Sequence, residues 1–339
     1  MNLDQNLAEL RQRAIQFEDG IKGVIIGQER PIRLITIALF ARGHVLLEGG
    51  VGVGKTTLLR AVARAVGGQY ERIEGAIDLM PNDLIYYTYL DQQGKPAVSP
   101  GPLLRHGEQL STFFFNEINR SRPQVHALLL RAMSEQSVSA FNREFRFPHL
   151  QVFADRNRVE KEETFELPAA ARDRFMMEIG VEAPKDTQLL DRLMTETRFH
   201  HPDRLIDGVP GGILDHQRLN SDAERIQESI LVSERLRAYV LDLWQATHRP
   251  QDFGIRLTND DLGDVIESGA SPRGMSYLLR LARVHAWLNQ RDRVLPEDVQ
   301  SVFAPAIAHR VFLKPVYEYQ RSELLPALIE KILHTVAAP

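Results

Sequence analysis

Short apolar runs alternate with amphipathic, helix-like stretches through the N-terminal half of the chain. In residues 56–66, for example, apolar side chains recur at the spacing of three and four that is typical of one helix face. Alternation of short strands with helices predicts an α/β fold with a largely parallel sheet. The predicted strands are residues 45–47, 71–73, 113–115, 151–154 and 176–181.

The pattern changes along the chain and predicts a division into successive segments. These are an N-terminal helix at 1–20, an α/β core at 21–182, a linker at 183–228, a helical domain at 229–312 and a C-terminal extension at 313–339. Residues 183–220 are polar and contain Gly-Val-Pro-Gly-Gly, so we expect a long loop there, of the kind that is commonly functional or mobile. The extension contains one predicted helix near 322–336.

Length and composition exclude several classes of protein. The 339 residues suffice for two domains, and a net charge of −4 gives no indication of a nucleic-acid or anionic-membrane binder. The absence of cysteine excludes disulfides, thiolate catalysis and Cys-based zinc sites. The N-terminus lacks a signal-peptide pattern, and no apolar run reaches the roughly 18 residues of a membrane span. Together with the nucleotide site described next, these features predict a cytoplasmic protein.

Residues 49–56 read Gly-Gly-Val-Gly-Val-Gly-Lys-Thr and fit the phosphate-loop pattern G-x-x-x-x-G-K-[ST]. The loop follows a predicted strand and opens a predicted helix, a context in which backbone N–H groups surround phosphate oxygens. We expect Lys55 to neutralise the β- and γ-phosphates and the Thr56 hydroxyl to bind Mg²⁺. The residues predicted to hold the nucleotide are Gly49, Gly50, Val51, Gly52, Val53, Gly54, Lys55, Thr56 and Thr57.

Asn116 and Glu117 directly follow the predicted strand at 113–115. Phosphate-loop ATPases carry an acidic pair at this strand end, in which the first residue supports Mg²⁺ and the second polarises the attacking water. Asn116 can accept a hydrogen bond from a metal-bound water, but it brings no negative charge to the ion. Glu117 keeps the carboxylate and is the predicted catalytic residue.

Two further polar residues lie beside predicted strands. Asn157 follows the strand at 151–154, where its amide is within reach of the γ-phosphate or the catalytic water; an isolated asparagine is also a common turn former. Arg174 precedes the strand at 176–181. Its planar guanidinium suits either a local carboxylate or the γ-phosphate of a neighbouring subunit. Spacing alone favours the local pairing.

In their order and intervals, these motifs resemble those of the MoxR group of AAA+ ATPases. The resemblance covers roughly residues 20–182 and 229–312. Beyond the phosphate loop with the residues 43–48 before it, the motifs that carry it are Ile25-Ile26-Gly27-Gln28, the insert at 78–84, Gly101-Pro102-Leu103, Asn116-Glu117-Ile118-Asn119-Arg120, residues 164–168, Asp173-Arg174-Phe175, Ser271-Pro272-Arg273-Gly274 and His309-Arg310.

The resemblance implies an AAA+ αβα core followed by a small helical lid. It implies that Ile26 and Gly27 lie near the adenine, and that Asn157, Arg174 and Arg273 are sensor 1, the arginine finger and sensor 2. An arginine finger acts in trans, and AAA+ relatives mostly form hexameric rings. MoxR-type proteins typically act with a partner that carries a von Willebrand factor A domain.

The chain departs from the family pattern near the phosphates. Asn116 replaces the usual aspartate, and Arg156 and Arg158 flank Asn157, which places two additional cations there. Arg172 stands two residues before Arg174, where a neutral or apolar residue is usual. Either arginine is therefore a candidate for the finger.

Three functions compete at this point. The first is an ATP-hydrolysing, chaperone-like remodeller of a protein client. The second is an ATP-binding assembly switch with slow or absent hydrolysis, for which Asn116 is the indication. The third is a helicase-like nucleic-acid motor, prompted by the insert but disfavoured by the acidic charge balance. Two hairpins, at 86–95 and 138–147, are predicted to project from the core, and Tyr86, Tyr87 and Tyr89 are candidates for contact with a client.

Overall fold

The computed structural model describes residues 3–157, 165–256 and 265–339. The chain divides into two compact units, the first comprising Met1–Arg174 with Ile179–Asn220 and the second Phe175–Glu178 with Ser221–Pro339. Within the described ranges, no helix is both long enough and apolar enough to cross a lipid bilayer.

The first unit combines a central sheet with helices and two hairpins. In chain order its elements are α1 Leu3–Lys22, α2 Glu29–Phe40, β1 Val45–Gly49, α3 Lys55–Val66, β2 Gln69–Glu74, α4 Pro81–Ile85, β3 Tyr86–Leu90, β4 Pro96–Pro100, β5 Leu110–Asn116, α5 Pro123–Glu135, β6 Ser137–Ala140, β7 Arg143–Arg146, β8 Gln151–Asn157, α6 Ala169–Arg172, β9 Met177–Val181, α7 Thr187–Thr195 and α8 Pro202–Asp207.

The central sheet has five strands in the order β2-β5-β8-β1-β9. β8 pairs in parallel with β1 and β5, and β5 pairs in parallel with β2, so the predicted parallel α/β fold is confirmed. Phe113, Phe114 and Phe115 on β5 are fully buried, and each such burial contributes about 1.5–3 kcal/mol. The carboxyl ends of β1, β5 and β8 meet at one edge, where ligands bind in parallel sheets.

The first unit also contains two antiparallel hairpins, β3 with β4 and β6 with β7, where the sequence predicts them. Phe141 and Asn142 form the turn of the second hairpin with φ angles of 51° and 57°, which is the backbone of a tight two-residue turn. Tyr86 packs against Phe141, with ring centroids 5.3 Å apart. Tyr87 and Tyr89 are exposed, so they remain candidates for client contact, whereas Tyr86 joins the two hairpins.

The prediction of a long polar loop at 183–220 is wrong, because this segment contains α7 and α8. The linker at 183–228 also contains nearly all of α9, Leu219–Ser229. Asp186 caps α7 by accepting a 2.9 Å hydrogen bond from the backbone N–H of Gln188. Leu189, Leu190 and Leu193 lie at helical spacing on α7.

The second unit is mainly helical. Its elements are α9, which begins two residues before the boundary, α10 Glu234–His248, β10 Ile266–Ser268, α11 Pro272–Leu288, α12 Pro296–Ile307, β11 Phe312–Leu313 and α13 Arg321–Thr335. α11 begins after Ser271, whose hydroxyl accepts a 3.1 Å hydrogen bond from the N–H of Gly274. α13 matches the helix predicted near 322–336. Arg310, at the end of the His309-Arg310 motif, is buried and lies over the Tyr277 ring at 5.2 Å.

Candidate nucleotide-binding site

The phosphate loop connects β1 to α3 at the carboxyl edge of the sheet. Gly52 and Gly54 have φ angles of 76° and 89°, in the left-handed region that favours glycine. The loop lines a cavity of about 290 Å³ together with polar residues from the ends of two other strands. The residues around this cavity are Gly50, Val51, Gly52, Val53, Gly54, Lys55, Thr56, Thr57, Asn116, Glu117, Asp155 and Asn157.

Lys55 is the cation of this cavity, and only 7% of it is exposed. Its ammonium group donates hydrogen bonds to the backbone oxygens of Gly49 and Gly50, each at 3.0 Å, and to Oδ1 of Asn157 at 2.6 Å. It also forms an ion pair with Asp155 at 3.6 Å. A buried ammonium group with these partners is fixed beside the loop that is predicted to surround the phosphates.

Glu117 contacts Asn157, which is itself bonded to Lys55. The side-chain nitrogen of Asn157 donates a 3.0 Å hydrogen bond to Oε1 of Glu117, and Arg120 pairs with Oε2 at 2.9 Å. Glu117 has a φ of 51°, a conformation that non-glycine residues adopt at a cost and that is common at functional sites. Sequence reasoning placed both residues near the phosphates, and the structure brings them into contact.

Asn116 points its amide nitrogen at a neighbouring strand. It donates a short hydrogen bond to the Glu74 carboxylate on β2, and Glu74 itself pairs with Arg72 at 2.6 Å. The side-chain oxygen is the acceptor of this amide, so it is the atom of Asn116 that can accept a hydrogen bond from a metal-bound water. The residue lines the same cavity as Thr56.

Asp155 is a site residue that the sequence reasoning missed. It lies on β8 and is 1% exposed, and its carboxylate accepts a 2.6 Å hydrogen bond from the backbone N–H of Glu117. Burial raises the pKa of Asp155, while the Glu117 N–H and the Lys55 ammonium group act in the opposite direction. The only available signal was an acidic residue at the end of an otherwise apolar strand.

The structure describes only one of the two arginines beside Asn157. Arg156 pairs with Glu48 at 3.3 Å and is therefore engaged with β1. Arg158, and Thr164 at the start of the motif at 164–168, lie outside the described residues. The prediction of additional positive charge at the phosphates therefore stays a prediction, and Arg156 has a local acidic partner.

A second cavity of about 270 Å³ adjoins the phosphate loop. It shares Gly52, Val53, Gly54 and Thr57 with the first, and its remaining walls are largely apolar. Ile26 lies in its wall, and Gln28 is held by a 2.6 Å hydrogen bond to the Glu182 carbonyl. A Cβ on Gly27 would come within 2.5 Å of Pro184, so only glycine fits there. Leu190, Leu193, Phe199, Pro202 and Leu205 supply the walls from the segment that was expected to be a loop.

The candidate finger residues differ in burial. Arg172 is 7% exposed and donates a 3.2 Å hydrogen bond to the Leu167 carbonyl. Arg174 lies nearer the surface, where it bonds to the Ser134 hydroxyl at 2.6 Å and the Ala170 carbonyl at 2.7 Å. Arg273 is exposed in the first turn of α11, in the second unit.

The donor set fits Mg²⁺ bound together with a nucleotide. No group of three or more His, Cys, Asp or Glu side chains within residues 3–157, 165–256 and 265–339 is arranged to hold a metal ion. Mg²⁺ keeps several waters and binds through one or two protein groups plus substrate phosphates. Thr56 and Asn116 at the phosphate cavity are the residues that would complete its shell.

Fold and site together define a phosphate-loop nucleotide-binding protein with an α/β core and a helical domain. Residues 44–177 match the ATPase family associated with various cellular activities (AAA), and residues 263–332 match the AAA lid domain. The lid match extends to 332, so it covers most of the C-terminal segment that carried no family motif in the sequence.

Curated relatives match this chain over nearly its whole length. Protein MoxR of Methylorubrum extorquens is 59% identical over 99% of this chain and 98% of its own length, and Protein MoxR of Paracoccus denitrificans is 53% identical over 99% of both. Chaperone MoxR1 of Mycobacterium tuberculosis is 32% identical, covering 97% of this chain and 82% of its own. A crystal structure of a candidate ATPase from Cytophaga hutchinsonii superposes with a TM-score of 0.84 at 28% identity, covering 99% of this chain and 98% of that one. The chain belongs to the MoxR family of AAA+ ATPases.

Proposed function

We propose that this protein hydrolyses ATP in a ring and uses the cycle to remodel or mature a protein client. The observation that carries the proposal is the hydrogen-bonded series from Lys55 through Asn157 to Glu117 in the phosphate cavity. It joins a cation, an orienting amide and a carboxylate, which are the groups that phosphoryl transfer to water requires. We place this activity in the cytoplasm, because ATP is available there.

Each residue has a defined task in this reaction. Lys55 binds the anionic phosphates, and the loop N–H groups surround their oxygens. Glu117 accepts the proton of the attacking water through its carboxylate, while Asn157 orients that carboxylate. Mg²⁺, held by Thr56, Asn116 and the phosphates, would neutralise charge that develops in the transition state.

The proposed ring depends on an arginine finger, because a finger that acts in trans requires a neighbouring subunit. Arg174 is held at the surface by neutral oxygens of Ser134 and Ala170, and these bonds are replaceable when a phosphate of a neighbouring subunit is within reach. Arg172 is buried and supports the chain locally. We therefore propose Arg174 as the finger and Arg273 as sensor 2, in a hexamer typical of AAA+ proteins.

Client contact is assigned to the two hairpins. Tyr87 and Tyr89 are 39% and 52% exposed, and Phe141 is 51% exposed on the second hairpin. Exposed aromatic side chains of this kind can supply contact area to a protein partner. The chaperone name of the Mycobacterium tuberculosis relative supports a protein client, and a von Willebrand factor A domain protein is the proposed partner class.

A second candidate is an ATP-binding assembly switch with little hydrolysis. Asn116 favours this switch, because a neutral amide stabilises Mg²⁺ less than a carboxylate does. The two candidates differ in steady-state turnover by the purified protein, with Lys55→Ala as the nucleotide-free control.

Mass photometry with and without ATP gives the assembly state in the same samples. Turnover that depends on Lys55 supports the remodeller, and ATP-dependent assembly without turnover supports the switch. Turnover that rises only with single-stranded DNA would instead indicate a nucleic-acid motor.

A further inference from the structure

Asp155 and Asn116 lie at the ends of two neighbouring strands. Phe115 on β5 pairs with Ala154 on β8, so the next residues along the two strands are Asn116 and Asp155. Both line the phosphate cavity. The position that usually carries a carboxylate has an amide in this chain, and a buried carboxylate stands on the adjacent strand.

Burying a carboxylate costs free energy unless it is paired and hydrogen-bonded. Asp155 meets both conditions through site residues. Its Oδ1 accepts the 2.6 Å hydrogen bond from the N–H of Glu117, and its Oδ2 lies 3.6 Å from the Lys55 ammonium group. The carboxylate therefore fixes the backbone of the proposed base and balances the charge of the phosphate-binding lysine.

Glu74 is the competing source of negative charge, since its carboxylate accepts a hydrogen bond from Asn116. Its side chain is 55% exposed and paired with Arg72, so solvent screens its charge. Glu74 is also absent from the residues that line the phosphate cavity. Asp155 is buried and within that cavity.

We propose that Asp155 is a positioning residue that supplies the negative charge missing at Asn116. This inference rests on the proposed function, because it assigns a task within the same ATP and Mg²⁺ site. It implies that the site carries its second carboxylate on β8 rather than on β5. The substitution at Asn116 is then a relocation of charge, and it does not make the protein a slow switch.

The test is a double-mutant cycle with Asn116→Asp, Asp155→Asn and the combined variant. Asparagine at 155 can still accept the hydrogen bond from the Glu117 N–H, so Asp155→Asn removes charge and keeps shape. The first readout is the ratio of two dissociation constants for a fluorescent ATP analogue, the constant in EDTA divided by the constant in Mg²⁺. This readout requires no hydrolysis.

We expect Asp155→Asn to lower this ratio by about tenfold, the size of a one-charge effect in a partly buried site. Without the carboxylate, metal-free ATP meets less repulsion and binds more tightly, while Mg²⁺ loses support. Asn116→Asp should restore the ratio to within about twofold of wild type in the Asp155→Asn background, but change it less than about twofold in wild type.

ATP turnover and the thermal unfolding midpoint are measured on the same variants. Turnover should fall by about 10- to 100-fold in Asp155→Asn and recover in the combined variant. Equal weakening of binding in EDTA and in Mg²⁺ without recovery would show a merely structural role and overturn the inference. A gain from Asn116→Asp in wild type as large as in the Asp155→Asn background would overturn it as well.

Glu74→Gln is the matched control, because it removes the other carboxylate near Asn116. A shift of the ratio as large as that of Asp155→Asn would place the compensating charge on β2 and contradict the inference. Absence of turnover in wild type would instead be a failure of the proposed function, and the binding ratio would still test Asp155. If Asp155→Asn fails to fold, Asn116→Asp alone keeps the test, since the relocated charge predicts no gain from it.

Discussion

Asn157 donates a 3.0 Å hydrogen bond from its side-chain nitrogen to the Glu117 carboxylate, and its side-chain oxygen accepts a 2.6 Å hydrogen bond from Lys55. One amide thus joins Lys55 of the phosphate loop to Glu117, the proposed water-activating residue. Both of its polar atoms are used in these two bonds. The Glu117 carboxylate is therefore held in a fixed orientation beside Lys55.

Replacing Asn157 with alanine should disturb the orientation of the Glu117 carboxylate and leave nucleotide binding largely intact. We expect steady-state ATP turnover to fall by about 100-fold, the size typical for loss of one positioned hydrogen-bond donor. Nucleotide affinity should change less than about fivefold, because Lys55 and the loop remain. Asn82→Ala, in α4 and outside the phosphate cavity, is the control that should keep turnover. An equal loss of affinity and turnover would contradict an orienting role.

Arg174→Ala should lower turnover by about 10³-fold, as expected for loss of an arginine finger, while the variant still binds nucleotide. Because the finger acts in trans, mixing Arg174→Ala with Glu117→Gln should recover part of the turnover at interfaces that hold both intact groups. ATP hydrolysis across a range of mixing ratios is the measurement. Arg174 would be excluded as the finger if the mixture hydrolyses ATP no faster than the sum of the two variants measured separately.

Arg172→Ala provides the matched comparison for the finger. Arg172 is buried, so its loss should lower the thermal unfolding midpoint, whereas loss of the half-exposed Arg174 should leave that midpoint nearly unchanged. The reverse pattern, a stable Arg172→Ala variant that lacks turnover and recovers in mixtures, would assign the finger to Arg172.

His44 makes the stability of the first unit depend on pH. Its Nδ1 accepts a 3.0 Å hydrogen bond from the N–H of Val152, its Nε2 lies 3.2 Å from the Met133 carbonyl, and burial lowers the pKa of His44 to about 4. The unfolded chain therefore binds a proton first as pH falls below about 6.5. Stability should drop by about 1 kcal/mol between about pH 8 and pH 5.5 through this residue.

Hydrogen exchange of the β1 and β8 amides measures this drop. His44→Asn should be less stable at pH 8, because a packed ring is lost, but should show a pH-dependent drop smaller by about 1 kcal/mol. His201→Gln, which replaces an exposed histidine, should retain the wild-type dependence. An unchanged dependence in His44→Asn would remove His44 as its source.

The central sheet and the phosphate loop were predictable because their signals are local. The strands at 45–47 and 113–115 are short apolar runs, and the loop is one continuous motif between a strand and a helix. Contact between Asn157 and Glu117 required more, since these residues are distant in sequence. Their family resemblance and the shared strand edge were sufficient to place both near the phosphates.

Two features depended on tertiary contacts and were missed. In the sequence Asp155 looks like a solvated residue at a strand end, but in the structure it is buried and pairs with Lys55, the first residue of α3. Part of the wall of the second cavity comes from α7 and α8, in a segment whose polar and glycine-rich composition obscured its helices. The helical spacing of Leu189, Leu190 and Leu193 and the cap at Asp186 were signals that could have located α7.

The most direct test of ATP hydrolysis at this site is turnover by Glu117→Gln, measured beside its nucleotide affinity. Glutamine keeps the size of the side chain and can still contact Asn157, but it does not accept the proton of the attacking water. We predict affinity within about threefold of wild type and turnover lower by at least about 100-fold, whereas Lys55→Ala should lose nucleotide binding itself. Hydrolysis by Glu117→Gln at the wild-type rate would contradict the assignment of Glu117 as the water-activating base.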